Sequence, residues 1–354
     1  MKKIIISTFN NSNNNYGAVF QSCGLGAFLK EMSYEPYFLT LKKRNQKSIN
    51  NTIKFKRAVK SILQIPIKGK VRRRKQGFSD FINDTQRQII YEDVDSLFTN
   101  PPYADVYLSG SDQVWNPLNI HEDLFLGYVD KDSKKISYAA SMGNEIIPLN
   151  NQKLFADYIS KYEYISVRED TMVDIISMYT NKMVNHNVDP VFLMSCEEWK
   201  KLEAVYKNLN YDRYILVYVI EWTREFENKL KVLKEETGIP VVAISLGNIK
   251  KICADQIIYD ASPNEFLYLI NNAEMVVTTS FHGTALSIIY NKKFISLVGK
   301  DKPTRIESML RHFSLLERTK LEKMTDVIDY DCVNAVINRD KEIAKNYLQK
   351  AIEG

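Results

Sequence analysis

Residues 275–298 read MVVTTSFHGTALSIIYNKKFISLV. Three apolar residues, Met275 to Val277, run into Thr278, Thr279 and Ser280; a helix begins near Thr284, and a second apolar run covers 294–298. Strand, loop, helix and strand in that order are the repeating unit of a parallel α/β sheet.

The same alternation extends outward in both directions. Strand-like runs stand at 3–8, 37–41, 105–108, 135–140, 164–167 and 188–193, and again at 214–220 and 240–245. A helix is expected from about Ala18 to Met32. The chain therefore reads as two Rossmann-like series, 1–205 and 206–330, with a polar helical stretch near 196–210 between them. A last helix, 331–354, carries apolar residues at 333, 336, 337, 343 and 347 and is expected to pack back on the body. Residues 42–100 break the rhythm and read as a basic, partly helical insertion without a clear strand.

Composition narrows the function classes. The chain has 354 residues, 45% hydrophobic and 26% charged, with a net charge of +5. Those values suit a globular protein and argue against a disordered chain or a dedicated nucleic-acid binder. Cysteines 23, 196, 253 and 332 stand far apart, with no CxxC pair, so neither a disulfide framework nor a metal site is expected. The opening MKKIIISTFN has three isoleucines where a secretory segment needs about 7–15 apolar residues, so a cytoplasmic location is expected.

Ligands of open α/β sheets bind beyond the carboxyl ends of the strands. After the first strand come Asn15, Tyr16 and Gly17, a helix start able to hold an anion or a plain turn. "YLSGSDQVWNP" (107–117) offers Ser111, Asp112 and Gln113 for sugar hydroxyls and Trp115 as a stacking face. Equally, Asp112 caps a helix there and Trp115 fills the core. Arg168, in "YISVREDT" (164–171), can clamp a carboxylate or phosphate with two parallel hydrogen bonds, or pair with Glu169 or Asp170. His282 holds the matching position in the second series, among Ser280, Gly283 and Thr284. It is either a satisfied structural residue or, at a helix start whose positive end faces the loop, an imidazole available as a base.

Taken in order, "NYGAVFQ" (15–21), "GSDQVWNP" (110–117), "KISYAASMG" (135–143), "ISVRED" (165–170), "VDPVFLM" (188–194), "SPNEFLYLINNAEMVVTTSFHGTALSI" (262–288) and "KKF" (292–294) resemble the polysaccharide pyruvyl transferase family. The resemblance implies two facing Rossmann-like domains of GT-B type with an active site in the cleft. It implies transfer of a pyruvyl group from phosphoenolpyruvate to two hydroxyls of a sugar, with no other cofactor. It makes Arg168 a donor-binding residue, with Ser280, Gly283 and Thr284 beside the donor, and His282 the catalytic histidine. Asn15, Tyr16, Gly17, Ser111, Asp112, Gln113 and Trp115 fall to the acceptor.

Many members have arginine where this chain has Ser280, so a second cation must come from Arg305, Lys293 or Lys300, or be dispensed with. "KGKVRRRK" (68–75) follows an amphipathic stretch, and 55–75 can either lie on an anionic membrane, fitting a lipid-linked acceptor, or form a solvated surface helix. Two other functions are compatible with such a fold: a glycosyltransferase using a nucleotide sugar, and a non-catalytic sugar-binding homologue.

Overall fold

The three isoleucines of β1 (Lys3–Ser7) are all fully buried, as in a strand covered on both faces. The computed structural model describes residues 1–10, 15–43, 67–220, 222–247, 253–297, 304–320 and 327–354. Around β1 lies a five-stranded parallel sheet in the order β3-β2-β1-β4-β5, with β2 Glu35–Lys43, β3 Gln88–Asp93, β4 Val106–Ser109 and β5 Lys135–Ser137. Ile4 pairs with Pro36 on one side and Val106 on the other. A parallel pair, β6 (Ile165–Val167) and β7 (Val184–His186), continues from β5 through bridges at Ile136–Tyr164 and Ala140–Val167.

The second sheet repeats the winding. Its strands are β8 Ile215–Tyr218, β9 Val241–Ile244, β10 Gln256–Ile258, β11 Met275–Thr278 and β12 Lys293–Ser296, in the parallel order β10-β9-β8-β11-β12. In both sheets the order reverses beside the first strand, between β1 and β4 and between β8 and β11. Each reversal opens a crevice at the strands' carboxyl ends. The expected fold of two facing Rossmann-like units is the one found.

Three local expectations are corrected. Residues 42–100 do contain a strand: β3 pairs with β2 from Phe38–Gln88 to Lys43–Asp93. As an edge strand with an acidic carboxyl end and a half-exposed face it lacks the apolar run that identifies inner strands. Residues 188–193 are not a strand, because Pro190 starts a short 3₁₀ turn, Pro190–Leu193, capped by the Asp189 side chain on Val191 N–H. The first helix, α1 (Tyr16–Glu31), starts two residues before expectation, where the Asn15 side chain accepts from Ala18 N–H.

Helices α3 to α8 span Val94–Thr99, Leu149–Ile159, Thr171–Ser177, Cys196–Lys200, Arg224–Thr237 and Pro263–Asn272, and two longer helices tie the halves together. Helix α2 (Lys68–Thr85) buries Phe78, Phe81 and Ile82, and sends the buried Arg74 into the second half. Its guanidinium donates to the carbonyls of Tyr259 (2.6 Å), Ser245 (3.1 Å) and Leu246 (3.3 Å). Arg73 beside it pairs with Glu265 and donates to Asp260 O at 2.9 Å. Of the basic stretch expected at a membrane, 55–66 lies outside the described residues, and Arg73 and Arg74 are committed to the protein itself. Among the described residues no helix is long and apolar enough to cross a membrane. The last helix (Tyr330–Glu353) returns to the first sheet, where Ala344, Leu348 and Ala351 pack with Ile4, Ile6 and Val106, and Tyr347 donates to Ser137 O at 2.8 Å.

Arg74→Ala is expected to lower the unfolding free energy by about 3 kcal/mol, since three carbonyls lose a buried charged donor. Arg72→Ala, on the exposed face of α2, should change it by no more than about 0.5 kcal/mol. Urea denaturation of both variants checks the difference; equal effects would contradict the role given to Arg74.

Candidate active site

The loop after β11 is built from its own hydroxyls. Thr278 Oγ1 donates to Tyr218 O and accepts from Ser280 N–H at 3.0 Å, turning the chain sharply out of the strand. Ser280 then caps the next helix, α9 (Phe281–Ile289), accepting from Gly283 N–H at 3.3 Å. Thr284 Oγ1 bonds to Ser280 O at 3.0 Å and to Ser296 Oγ at 2.6 Å. A Cβ on Gly283 would lie 2.5 Å from Thr278 Oγ1, so only glycine fits. The side chains of Ser280 and Thr284, expected beside the donor, are thus engaged within the loop, and Gly283 packs against it. Their side chains make the turn, and the turn makes the site.

That turn aims Phe281 and His282 at the first half of the chain. The His282 ring lies against α1 at Gly17, where a Cβ would stand 2.0 Å from Nδ1. Its Nε2 is 3.5 Å from Asp189 Oδ2. Asp189 is fully buried, and Oδ2 also accepts from Arg168 Nη1 at 2.9 Å and Ser111 Oγ at 3.2 Å. Burial alone would push this carboxyl up; His282 and Arg168 outweigh it and hold Asp189 well below the usual carboxylate range.

Arg168 follows β6 directly, as the sequence suggests, but it is not an open clamp. Nε donates to Glu169 Oε1 at 3.0 Å and Nη1 to Asp189, while the Phe281 ring centroid sits 4.4 Å from the guanidinium carbon. The two parallel donors expected for a substrate are thus engaged by carboxylates, and only Nη2 stays buried and unpartnered. Burial works against its charge, and Glu169 and Asp189 more than restore it.

Of the cations expected to replace an arginine at position 280, Arg305, in the first turn of α10 (Thr304–His312), lies beside Arg168. It lines a cavity with Arg168, Asp189, Phe281, His186 and His312. With the Gln113 amide turned so that its oxygen faces the cation, Arg305 donates to it through Nη1 at 2.9 Å and Nη2 at 3.2 Å, and Arg305 has no ion-pair partner among the described residues. Burial, and then the like charge of Arg168, lowers its pKa, the mark of a cation whose neighbourhood gains from an anion. The cavity holds about 20 Å³, room for roughly one water.

The remaining expectations divide. Gly17, Ser111, Asp112, Gln113, Arg168, His282 and Arg305 gather here; Asp112 does so with a left-handed backbone, φ 72°. Asn15 serves as the α1 cap. Tyr16 is buried between the halves with its hydroxyl on Ala261 O at 2.7 Å, and its ring stacks on Phe266 at 4.3 Å, so it offers nothing to an acceptor. Trp115 is wholly buried, its ring 5.2 Å from Tyr162 and 6.1 Å from Phe125, and cannot stack on a sugar. Lys293 opens β12, at the end of the sheet away from the crevice, and is exposed. Lys300 lies outside the described residues. Asp189, Glu169, His186 and His312 are additional. Asp189 falls within "VDPVFLM", where an acid just before a proline signals a cap and gives no sign of its distant partners.

The family model described as polysaccharide pyruvyl transferase matches residues 15–301. No curated protein matches the sequence. Among solved structures, UDP-GlcNAc 2-epimerase from Methanocaldococcus jannaschii is similar over 92% of this chain and 91% of that one, with a TM-score of 0.53 and 12% identity. The same enzyme in complex with UDP-GlcNAc and UDP matches over 98% and 99%, with a TM-score of 0.52 and 13% identity. An alpha-glucosyltransferase in complex with UDP and DNA covers 98% and 95%, at a TM-score of 0.49 and 10% identity. At such identities the likeness to the epimerase concerns the fold alone.

Because Asp189 is depressed below its unfolded value of about 3.9, its stabilisation is complete above roughly pH 4 and is lost as pH falls through the folded value. Between pH 4 and 2 the unfolding free energy of the protein should therefore fall more steeply than that of Asp189→Asn, measured by denaturant titration at each pH. Parallel profiles would contradict this.

Proposed function

The chain belongs to the polysaccharide pyruvyl transferase family, and from that premise we propose that it transfers a pyruvyl group from phosphoenolpyruvate to two hydroxyls of a sugar. The product is a cyclic ketal and the leaving group is phosphate, in the biosynthesis of a cell-surface or capsular polysaccharide. The observation that carries the donor reading is Arg305: a largely enclosed cation with no ion-pair partner among the described residues, in a cavity lined by Asp189, whose carboxylate lies 3.5 Å from His282 Nε2. A carboxylate and a phosphate on one small molecule suit such a site. A cavity of this size admits the donor only if the two halves part, as facing domains do on binding.

The reaction balances without an outside reagent. The methylene carbon takes a proton and becomes the methyl group, and the first hydroxyl bonds to C2 of the donor and gives up its own proton in exchange. The second hydroxyl then displaces phosphate, which leaves with the second proton. His282 gives the proton to carbon and takes the one from oxygen. In this reading the acceptor approaches Asp112 and Gln113, whose carboxylate and amide suit sugar hydroxyls, while Ser111, wholly buried and donating to Asp189, belongs to the framework of the site. The acceptor in this reading is a lipid-linked sugar unit met at the cytoplasmic membrane face.

A nucleotide-sugar glycosyltransferase fits less well. Just beyond the carboxyl ends of β9 and β10, Arg74 takes the carbonyls of Ser245 and Tyr259, which are then engaged within the protein.

Calorimetry with phosphoenolpyruvate, against a nucleotide-sugar control, tests the donor. Binding is expected for phosphoenolpyruvate alone, and Arg305→Ala should weaken it about 10- to 100-fold by loss of charge-assisted bonds, while Lys293→Ala leaves it unchanged. His282→Ala should keep donor binding and lose about 10²–10⁴-fold in phosphate release. Heat with the nucleotide sugar and silence with phosphoenolpyruvate would overturn the reading.

A further inference from the structure

We infer that His282 exchanges its proton with the substrate through Nδ1, and that buried Asp189 is the positioning residue that holds Nε2 as the N–H nitrogen. The inference rests on the reading above only for the identity of the reaction. The ring arrangement stands on geometry.

Nε2 is sealed from solvent and has no shorter hydrogen bond among the described residues, and the carboxylate it faces is Asp189 Oδ2, at 3.5 Å. An ionised carboxylate only accepts, so a hydrogen directed at it must sit on Nε2. Asp189 cannot turn away. Its Oδ1 takes Val191 N–H at 3.1 Å, and its Oδ2 takes Arg168 and Ser111. Arg168 is itself fixed by Glu169 and by the Phe281 ring.

The other nitrogen differs. Nδ1 makes no hydrogen bond among the described residues, and Gly17 covers only the face of the ring. A Cβ there would lie 2.0 Å from Nδ1 and 2.6 Å from both Cε1 and Cγ. Equal distances to both neighbours at so short a range place it above the ring plane rather than in it. The in-plane lone pair of Nδ1 is therefore left to the substrate, and any side chain at position 17 would push the ring off its alignment with Asp189.

The step follows. The charged ring, held by Asp189 through Nε2–H, gives its Nδ1 proton to the methylene carbon, which bonds it with the electron pair of the double bond and leaves C2 cationic. The attacking hydroxyl then bonds to C2 and returns its own proton to Nδ1, and the charged ring is restored.

Ring-nitrogen NMR on ¹⁵N-histidine protein tests this, and the chain has only 4 histidines, so His282→Gln identifies the signals. Expected is the Nε2–H tautomer for His282 in its uncharged form. Asp189→Asn should lose that fixed tautomer and lower kcat at least 100-fold with little change in KM. Gly17→Ala should disturb the same signals and lower kcat at least 10-fold. An Nδ1–H tautomer in the unaltered protein overturns the inference by itself, whether or not Asp189→Asn can be purified. So does a signal unchanged by Asp189→Asn. A fixed Nε2–H tautomer in a protein that ignores phosphoenolpyruvate would support the ring arrangement while refuting the donor.

Discussion

The carboxylate of Asp189 is the contact on which the rest of the site depends. It is wholly buried, and so is the guanidinium of Arg168 that pairs with it at 2.9 Å. Taking such charges out of water costs several kcal/mol each, and the pair is tolerable only because every partner arrives in place. The partners come from separate elements: Arg168 and Glu169 from the end of β6, Ser111 from the loop after β4, Val191 from the 3₁₀ turn, and His282 from α9. Meeting those demands fixes where two sheets of different sequence come together. The apolar contact around Tyr16, Phe78, Tyr218 and Phe266 supplies the area that holds them there.

What the sequence revealed of the fold follows from burial. Strands covered on both faces show as apolar runs, and the two series of them were legible with their order. The edge strand β3 was not, since one side of it meets water, and the run after Asp189 misled because five apolar neighbours conceal the effect of one proline. The site was legible as positions at strand ends. Arg168, His282, Ser111 and Gly17 all meet, and each stands just beyond a strand or at the start of the next helix. Which partner each would take was not legible. Arg168 was open to reading as a clamp or as a paired ion, and only the fold shows both its engaged donors. Trp115 and Tyr16 have the chemistry of a binding surface but face inward, and a single sequence does not say which way an aromatic ring points. Lys293 is the simplest case, a charge at the wrong end of its strand.

The solved structures that share this fold include an epimerase bound to UDP-GlcNAc and UDP, so the architecture alone does not choose the chemistry. The choice comes from the side chains at the crevice. Here the ion pairs of Arg168 are internal to the first half, Arg305 of α10 has no ion-pair partner among the described residues, and a glycine of α1 lies over the His282 ring. Helix α10 reaches across with more than Arg305. Ser308 donates to Asp170 at 2.7 Å, and His312 stands beside His186, whose imidazole burial and that neighbour hold below its ordinary value. One face of a single helix thus brings Arg305, Ser308 and His312 against the first half.

A crystal structure of the protein grown with saturating phosphoenolpyruvate tests the central claim most directly. The account predicts donor density in the cavity, an anionic oxygen within hydrogen-bond distance of Arg305 in place of Gln113, and the reacting carbons turned toward Nδ1 of His282. Arg305 still bound to Gln113 beside an empty cavity, or the donor seated away from His282, would contradict it.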